Sequence, residues 1–292
     1  MMKKIGFIGL GIMGGNMASH LLKKYKNINI IKRNSVNTEK FVKKFTNEGK
    51  INLFENYKEL AENSELIISC VGNDNDLKEI YLKKNKILDG VKKNTIIIDH
   101  TTASVDISIE LFNKFKTKNA FFYDAPVSGG EIGAQEGNLA IMVGGEENKF
   151  KTLKKDLDCY YKSIIYMGKS GNGQLTKMVN QICVASIIQG LAEGLNFAKK
   201  KKLNIDKLLE VIRNGAAQSW QLENRSLTMW KNQFNFGFMN KLMLKDLKIL
   251  IDESSTSNIK LPITKKIKSF YSNLVKKGYS KEDTSNLIRL LK

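Results

Sequence analysis

The sequence of 292 residues is poor in the residue types that form disulfides and metal sites. Its three cysteines, Cys70, Cys159 and Cys183, are far apart and lie in apolar contexts, which is typical of buried, reduced thiols. We therefore expect neither a disulfide nor a metal site. No uninterrupted apolar run approaches the roughly 18 residues of a membrane span, and the first apolar strand pattern begins without a cleavable leader before it. These absences predict a cytoplasmic protein without a membrane partner.

Arginine is scarce: four arginines leave 44 lysines among the 48 basic residues, and the formal net charge is +19. Proteins that read nucleic-acid bases favour arginine, because its planar guanidinium forms two parallel hydrogen bonds. The lysines are spread from Lys3 to Lys292 and form no cluster. An AT-rich coding bias, which also favours asparagine and isoleucine, explains most of the excess. The composition argues against a nucleic-acid partner, while the positive field suits an anionic substrate.

Short apolar strands alternate with amphipathic helices through the first part of the chain. Strands are predicted at 4–10, 29–32, 65–71, 95–99, 120–124, 139–143 and 164–166. Helices are predicted at 14–25, 36–48, from 77 onward and at 104–116. This alternation indicates a parallel sheet covered on both faces.

Beyond residue 168 the pattern becomes helical, beginning with a long apolar-periodic stretch at 173–201 that contains no proline. A loop is predicted near 232–237 and a break at Pro262. The sequence therefore predicts an α/β fold, with a Rossmann-type doubly wound domain at 1–168 and an all-α domain at 169–292.

A glycine-rich motif follows the first predicted strand and opens the first predicted helix. The pattern G-x-G-x-x-G is formed by Gly9, Leu10, Gly11, Ile12, Met13 and Gly14. In a dinucleotide site the first glycine allows a tight turn, the second lets a pyrophosphate approach the backbone, and the third lets helix and strand pack closely. The phosphates then lie at the helix N-terminus, where backbone N–H groups favour anions. The motif predicts a dinucleotide cofactor.

The end of the second predicted strand indicates which dinucleotide binds. An NAD site usually places an acidic residue there for the ribose hydroxyls. This chain has Lys32, Arg33, Asn34 and Ser35 instead, and a guanidinium can pair with a 2′-phosphate. NADP(H) is therefore the predicted cofactor, while NAD(H) stays possible.

Two further motifs carry candidate chemistry. Ser128, Gly129 and Gly130 offer a hydroxyl and adjacent unhindered N–H groups, which suit a carboxylate. Lys177 lies in the first turns of the long helix, where the helix dipole and burial both favour a neutral amine that can exchange a proton near neutrality. Asn180 and Gln181, three and four residues later, share its helix face.

These motifs, in this order and spacing, resemble those of the β-hydroxyacid dehydrogenase family. The family includes 3-hydroxyisobutyrate dehydrogenase, tartronate semialdehyde reductase and the glyoxylate/succinic semialdehyde reductases. The segment Asp99–Thr102 is similar to the family's D-x-S-T pattern with Thr101 in place of serine, and Lys245-Asp246-Leu247 resembles its K-D-L pattern. Val71-Gly72-Asn73 departs from the Leu-Pro that is common there.

The resemblance implies roles for the matched residues. Lys177 would be the general acid in carbonyl reduction and the base in alcohol oxidation, and Ser128, Gly129 and Gly130 would hold the substrate carboxylate. Further substrate contacts are implied for Asn180, Gln181, Phe238 and Asp246. Further cofactor contacts are implied for Val71, Thr102 and Lys245.

The predicted function is NAD(P)-dependent interconversion of a short β-hydroxyacid and its semialdehyde or keto form. One alternative is a glyoxylate/succinic semialdehyde reductase that clears aldehydes. Another is a non-catalytic NADP-binding module on nucleic acid, against which the presence of Lys177 and Ser128 argues. The expected partners are a small carboxylate substrate and, through the helical domain, further copies of the chain in a homodimer or homotetramer.

Overall fold

Nine β-strands form one sheet in the computed structural model, which describes residues 3–32 and 36–291. The strands are β1 (Ile5–Ile8), β2 (Asn27–Ile31), β3 (Lys50–Phe54), β4 (Leu66–Ser69), β5 (Ile96–Asp99), β6 (Phe121–Asp124), β7 (Val127–Ser128), β8 (Leu139–Gly144) and β9 (Tyr161–Gly168). Their order is β3-β2-β1-β4-β5-β6-β8-β7, and β9 pairs with β8. The strands from β3 to β6 are parallel, while β8 runs antiparallel to β6 and β7.

The strand order places a topological switch point at β1. The chain moves from β1 to β2 and β3 on one side and then returns to β4 on the other side. In open parallel sheets of this kind, ligands bind in the crevice outside the carboxyl ends of the strands at the switch point. The turn that follows β1 contains the glycine motif, so the motif lies where the topology predicts a ligand.

Helices cover both faces of the sheet. They are α1 (Ile12–Tyr25), α2 (Val36–Phe45), α3 (Tyr57–Glu62), α4 (Asp74–Tyr81), α5 (Ile87–Gly90), α6 (Val105–Lys116), α7 (Gly130–Glu136) and α8 (Phe150–Leu157), with a short 3₁₀ helix at Glu147–Lys149. Successive strand side chains enter different cores: Ile96 and Ile98 belong to one apolar cluster and Ile97 to the other. A strand buried on both faces is apolar at every position, which explains the apolar runs in the sequence.

The chain divides into two compact units, Met1–Lys177 and Met178–Lys292. The second unit is helical and contains most of α9 (Asn172–Lys200), then α10 (Ile205–Arg213), α11 (Trp220–Trp230), α12 (Asn240–Thr256), α13 (Pro262–Lys276) and a 3₁₀ helix at Thr284–Leu291. Its own apolar core includes Leu195, Met243, Leu247 and Tyr271. Pro262 occupies the first turn of α13, where its missing N–H costs nothing.

Helix α9 is long and apolar enough, by length and composition alone, to cross a membrane. The polar residues Asn180, Gln181, Gln189 and Glu193 interrupt its sequence. Core helices of soluble proteins pass the same test.

The predicted fold class is confirmed: a Rossmann-type sheet is followed by a helical region. Strand β3 was not predicted; it lies at the edge of the sheet and is only partly buried, although Ile51, Leu53 and Phe54 are apolar. Its Asn52 donates to Oδ1 of Asn27 at 2.7 Å and to Oδ1 of Asn29 at 2.8 Å, so amide hydrogen bonds join it to β2. The predicted domain boundary at residue 168 stays a prediction.

Candidate active site

The packing of the protein explains two of the three motif glycines. Gly9 has φ +96°, and a Cβ there would lie 2.1 Å from the Cys70 carbonyl oxygen. A Cβ on Gly14 would lie 1.9 Å from the Gly9 carbonyl oxygen. The fold itself therefore requires these two glycines. A Cβ on Gly11 would meet nothing within 4 Å, so the protein's own packing does not explain Gly11.

The N-terminus of α1 suits an anion. Gly11 is its N-cap and provides no side-chain hydrogen bond, and the first turn of the helix contains no acidic residue. Its backbone N–H groups and the helix dipole therefore favour negative charge in the open space beside Gly11. The turn fits the pyrophosphate of a dinucleotide. Leu10 and Met13 are half-buried beneath it, and Ile12 is exposed.

Strands β1, β4, β5 and β6 are neighbours, and the residues after their carboxyl ends share one edge of the sheet. Val71 follows β4, and its backbone N–H donates to the Thr101 hydroxyl at 3.0 Å. Thr102, the next residue after Thr101, is half-buried beyond β5. The structure therefore brings the predicted cofactor residues Val71 and Thr102 to the same edge as the glycine motif.

A buried carboxyl group supports this edge. Asp99 Oδ1 accepts from the Ser69 hydroxyl at 2.6 Å and from the Thr101 hydroxyl at 2.7 Å. The Tyr81 hydroxyl donates to Ser69 at 2.7 Å. Desolvation by burial raises the pKa of Asp99 to about 7, although the hydrogen bonds from Ser69 and Thr101 oppose the shift. The network holds Thr101 and, through it, the backbone of Val71.

His100 is buried, and both of its ring nitrogens make contacts within the protein. Its Nδ1 lies 2.5 Å from the Ala125 carbonyl oxygen, and its Nε2 lies 2.8 Å from the Tyr160 hydroxyl. Because a carbonyl only accepts, Nδ1 carries the proton in this arrangement. Burial lowers the pKa of His100 to about 4, so the ring is neutral near pH 7. These contacts explain the histidine as a structural residue.

Asp124, at the end of β6, anchors the start of α9. Its Oδ1 accepts from the backbone N–H of Gly171 at 2.8 Å and from the Ser170 hydroxyl at 3.1 Å. Its Oδ2 accepts from the backbone N–H of Gln174 at 3.1 Å. Burial raises the pKa of Asp124 to about 6 against these hydrogen bonds. A Cβ on Gly173 would lie 2.3 Å from the Asp124 carbonyl oxygen, so the helix approaches the strand closely.

This anchor places Lys177 beside the predicted carboxylate cradle. Lys177 is 7% exposed, and its Nζ donates to the Val127 carbonyl oxygen at 2.9 Å. Val127 directly precedes Ser128, which is half-buried, while Gly129 and Gly130 are exposed with φ +135° and +63°. A Cβ on Gly130 would meet nothing within 4 Å. The amine, the hydroxyl and the glycine N–H groups therefore lie together within the first unit.

Four of the predicted residues form a chain of contacts in the second unit. Asn180 Nδ2 donates to Gln181 Oε1 at 2.8 Å, and Gln181 Nε2 donates to Asp246 Oδ2 at 2.7 Å. Lys245 Nζ lies 3.3 Å from Asp246 Oδ1. Gln181 and Asp246 are buried, while Asn180 and Lys245 are partly exposed. The two buried residues therefore orient the two that reach the surface of this unit.

Phe238 is held by a carboxylate that the sequence did not single out. Its backbone N–H donates to Asp283 Oδ2 at 2.9 Å, and Arg225 Nε donates to Asp283 Oδ1 at 3.1 Å. The Arg225 guanidinium lies 5.1 Å from the Trp220 ring centroid and 4.9 Å from that of Phe236. Arg225 is thus committed to buried contacts around the loop that carries Phe238.

The residues predicted to select the cofactor are described only in part. Arg33 and Asn34 lie outside the described residues. Lys32 is exposed, and its Nζ lies 2.8 Å from Glu55 Oε1, an acidic residue just after β3. This contact raises the pKa of Lys32. The end of β2 has no acidic residue of its own, but Glu55, which follows the neighbouring strand β3, lies next to Lys32.

The cysteines are less buried than their apolar sequence contexts indicate. Cys70 and Cys159 are half-buried, and Cys183 is exposed because it faces outward on α9. Burial raises the pKa of the Cys159 thiol to about 11. Among residues 3–32 and 36–291, no three or more His, Cys, Asp or Glu side chains are grouped so that they could hold a metal ion.

Comparison with known proteins covers both units. A family model described as the NAD binding domain of 6-phosphogluconate dehydrogenase matches residues 4–168. A second, described as NAD-binding of NADP-dependent 3-hydroxyisobutyrate dehydrogenase, matches residues 171–291.

Similar proteins span almost the whole chain. An uncharacterized oxidoreductase of Shewanella frigidimarina is 41% identical over 99% of this chain and 98% of its own. The mitochondrial 3-hydroxyisobutyrate dehydrogenase of Drosophila melanogaster is 31% identical over 99% of this chain and 90% of its own. The solved structure of Mycobacterium tuberculosis 3-hydroxyisobutyrate dehydrogenase with L-serine has a TM-score of 0.88 and 25% identity, and covers 100% of both chains.

Proposed function

The chain belongs to the β-hydroxyacid dehydrogenase family, and from this premise we propose that it interconverts a short β-hydroxyacid with its semialdehyde or keto form, using NADP(H). That it is an NAD(P)-dependent oxidoreductase acting on a CH–OH group follows from the family. The observation that carries the finer proposal is the 2.9 Å contact of Lys177 Nζ with the Val127 carbonyl, next to Ser128.

The chemistry of a β-hydroxyacid matches this spacing. Its hydroxyl carbon is separated from its carboxylate carbon by a single carbon, so a protein that holds the carboxylate also fixes the position of the hydroxyl. In the proposed site Ser128, Gly129 and Gly130 hold the carboxylate through one O–H and backbone N–H donors. The amine of Lys177, which is hydrogen-bonded to the residue before Ser128, then reaches the hydroxyl or carbonyl oxygen of the substrate.

Lys177 moves the proton in either direction. When bound, NADP(H) supplies the hydride-transfer chemistry, and the protein supplies binding and orientation. In reduction Lys177 Nζ donates a proton to the carbonyl oxygen, and in oxidation the neutral amine accepts the hydroxyl proton. Its anchor on Val127 and the fixing of α9 by Asp124 limit the motion of the amine, which is the requirement for proton transfer in a defined geometry.

We propose that the motif Gly9–Gly14 holds the cofactor pyrophosphate and that Val71 and Thr102 contact the nicotinamide half. The open space at Gly11 and the acid-free start of α1 support this placement. Selection of NADP(H) over NAD(H) rests on Arg33 in this proposal, because Lys32 already pairs with Glu55. Asn34 and Lys245 are proposed as further polar contacts to the cofactor.

In the second unit, Asn180 and Phe238 are proposed to contact the substrate. Gln181 and Asp246 then act mainly by orienting Asn180 and Lys245.

We further propose that copies of the chain associate through the second unit as a homodimer or homotetramer. Helix α9 exposes apolar side chains there: Val179 is 59% exposed, Ile187 41% and Phe197 63%. Light scattering coupled to size exclusion tests this, and a monomer at micromolar concentration contradicts it. The protein is proposed to act in the cytoplasm.

The test is a substrate panel with the full-length protein. We expect turnover of 3-hydroxyisobutyrate or a similar short 3-hydroxyacid with NADP⁺, and no comparable turnover of the methyl ester of the same acid. The ester preserves the shape and removes the charge, so it is the matched control for the carboxylate cradle. Faster reduction of glyoxylate or succinic semialdehyde than of 3-carbon and 4-carbon β-semialdehydes would instead identify an aldehyde-clearing reductase. No turnover with any member contradicts the proposal.

A further inference from the structure

Gln174 is fully buried in the first turn of α9, and its side chain bonds only with backbone groups in the contacts that the structure describes. Its Nε2 donates to the Thr101 carbonyl oxygen at 2.8 Å. Its Oε1 accepts from the backbone N–H of Ala103 at 3.1 Å. These two backbone groups lie on either side of Thr102. A single carboxamide therefore holds both peptide units that flank Thr102.

A glutamine is chemically specific for this place. The carboxamide has both donor and acceptor atoms, and the segment after β5 presents one carbonyl and one N–H to it. A carboxylate has no donor for the carbonyl, and an apolar side chain satisfies neither group. Because the partners are buried, losing the carboxamide leaves polar backbone groups without hydrogen bonds.

Gln174 also connects this segment to the amine. It precedes Lys177 by three residues on α9, so both side chains arise from the same end of one helix. Its own backbone N–H donates to Asp124 at 3.1 Å, which fixes the helix start to β6. Gln174 therefore fixes the segment after β5 relative to the helix that carries Lys177, within the first unit.

We infer that Gln174 is a positioning residue, which sets Thr102 at the nicotinamide half of the cofactor relative to Lys177. The inference rests on the proposed function, because that function assigns Thr102 to the nicotinamide half. It extends the proposal by a residue that touches neither substrate nor cofactor and acts through Thr102. It predicts a defect confined to the nicotinamide half of the cofactor.

Binding of two ligands separates this role from general destabilisation. NADPH contains the nicotinamide half, whereas adenosine 2′,5′-bisphosphate contains only the 2′-phosphorylated adenosine half. For Gln174→Leu in the full-length protein we expect the Kd of NADPH to rise about five- to tenfold. The Kd of adenosine 2′,5′-bisphosphate should change less than twofold. Gln174→Met, with a flexible side chain of similar length, gives the same comparison if the leucine variant does not fold.

A matched control is available on the same helix. Gln189 is also a buried glutamine of α9, and its Nε2 donates to Glu193 at 2.7 Å. Gln189→Leu should leave the affinity for both ligands unchanged. If the wild-type enzyme is active, the inference is overturned when Gln174→Leu weakens the binding of NADPH and of adenosine 2′,5′-bisphosphate equally, or weakens the binding of neither. A wild type that does not bind NADPH overturns the proposed function itself.

A pH profile gives a second readout. In Gln174→Glu the side chain can donate to the Thr101 carbonyl only when it is protonated. We therefore expect NADPH affinity of this variant to improve as pH falls, by at least threefold between pH 8 and pH 5.5 relative to the wild type. An affinity ratio that does not change with pH contradicts the role of the Nε2 donor.

Discussion

Replacing Lys177 by methionine removes the proposed proton donor with little change of shape. The wild-type Nζ makes a 2.9 Å hydrogen bond to the Val127 carbonyl, and the side chain is buried. Methionine keeps a side chain of similar length and loses the charge, so the apolar part of the packing stays. The perturbation therefore concentrates on proton transfer.

The expected loss in kcat is about 10²- to 10⁴-fold, which corresponds to about 3–5 kcal/mol in the activation barrier. The loss in the free energy of unfolding should be smaller than this. Without the Lys177 amine, the Val127 carbonyl loses its hydrogen bond, which costs about 1–3 kcal/mol. Part of that cost is offset because the variant no longer buries an ammonium group. The affinity for NADPH should change less than threefold, since the glycine motif lies on other elements of the unit.

Steady-state kinetics in both directions, with NADPH affinity measured by fluorescence, check this prediction. Lys177→Arg is the companion variant: it keeps the charge, but a guanidinium does not release its proton near neutrality, so its rate should also be low. In the oxidative direction the wild-type rate should rise with pH, because the neutral amine is the base, and the rate of Lys177→Met should not follow that rise. A kcat for Lys177→Met within threefold of the wild type would refute the assignment and require another proton carrier.

Three further predictions address the cradle, the cofactor and the buried network. Ser128→Ala should raise KM for the acid about tenfold and lower kcat less, because a carboxylate is held equally in the ground and transition states; an unchanged KM contradicts the cradle. Arg33→Ala should weaken NADP⁺ binding by about 1–3 kcal/mol, whereas Glu55→Gln should strengthen it by releasing Lys32 from its ion pair; titration calorimetry of both variants, with NAD⁺ as control ligand, checks the pair. Asp99 binds its proton more tightly in the folded than in the unfolded state, so its contribution to stability is present below pH 4 and lost as pH rises through about 7. Urea unfolding should therefore show a decrease of about 3 kcal/mol between pH 5 and pH 8 from this group, and Asp99→Asn should remove that part of the slope.

Local patterns were sufficient for the fold class, because a strand buried on both faces is recognisable from its own residues. The segments around Ile97 and Ile67 are examples, and their strands were predicted within a few residues. Strand β3 was missed because it is a short edge strand that is only partly buried, and its Asn52 side chain is paired with residues of another strand. Its existence depends on pairing that no local pattern contains.

The site residues divide in the same way. The glycine motif and the Ser128 segment have a recognisable order along the chain, whereas the supporting residues have partners far away in sequence. Gln174 bonds to residues 71 and 73 positions earlier, and the Asp124 carboxylate bonds to backbone 47 and 50 positions later. Spacing alone gives no sign of such contacts. The segment before Lys177 does contain Gly171, Gly173 and Gln174, but this local pattern does not identify their distant partners.

The carboxylate of Asp124 at the start of α9 also has a consequence for where a phosphate group can bind. A helix N-terminus attracts any anion, and several helices begin at the carboxyl edge of this sheet. The carboxylate of Asp124, from the end of β6, accepts hydrogen bonds from the N-terminus of α9, while α4 has Asp74 and Asp76 in its first turn and α6 has Asp106. Each of these helix starts already holds negative charge and repels a diphosphate. The first turn of α1 contains no acidic residue, which favours this helix end over the other three for the cofactor's phosphates in the proposed site.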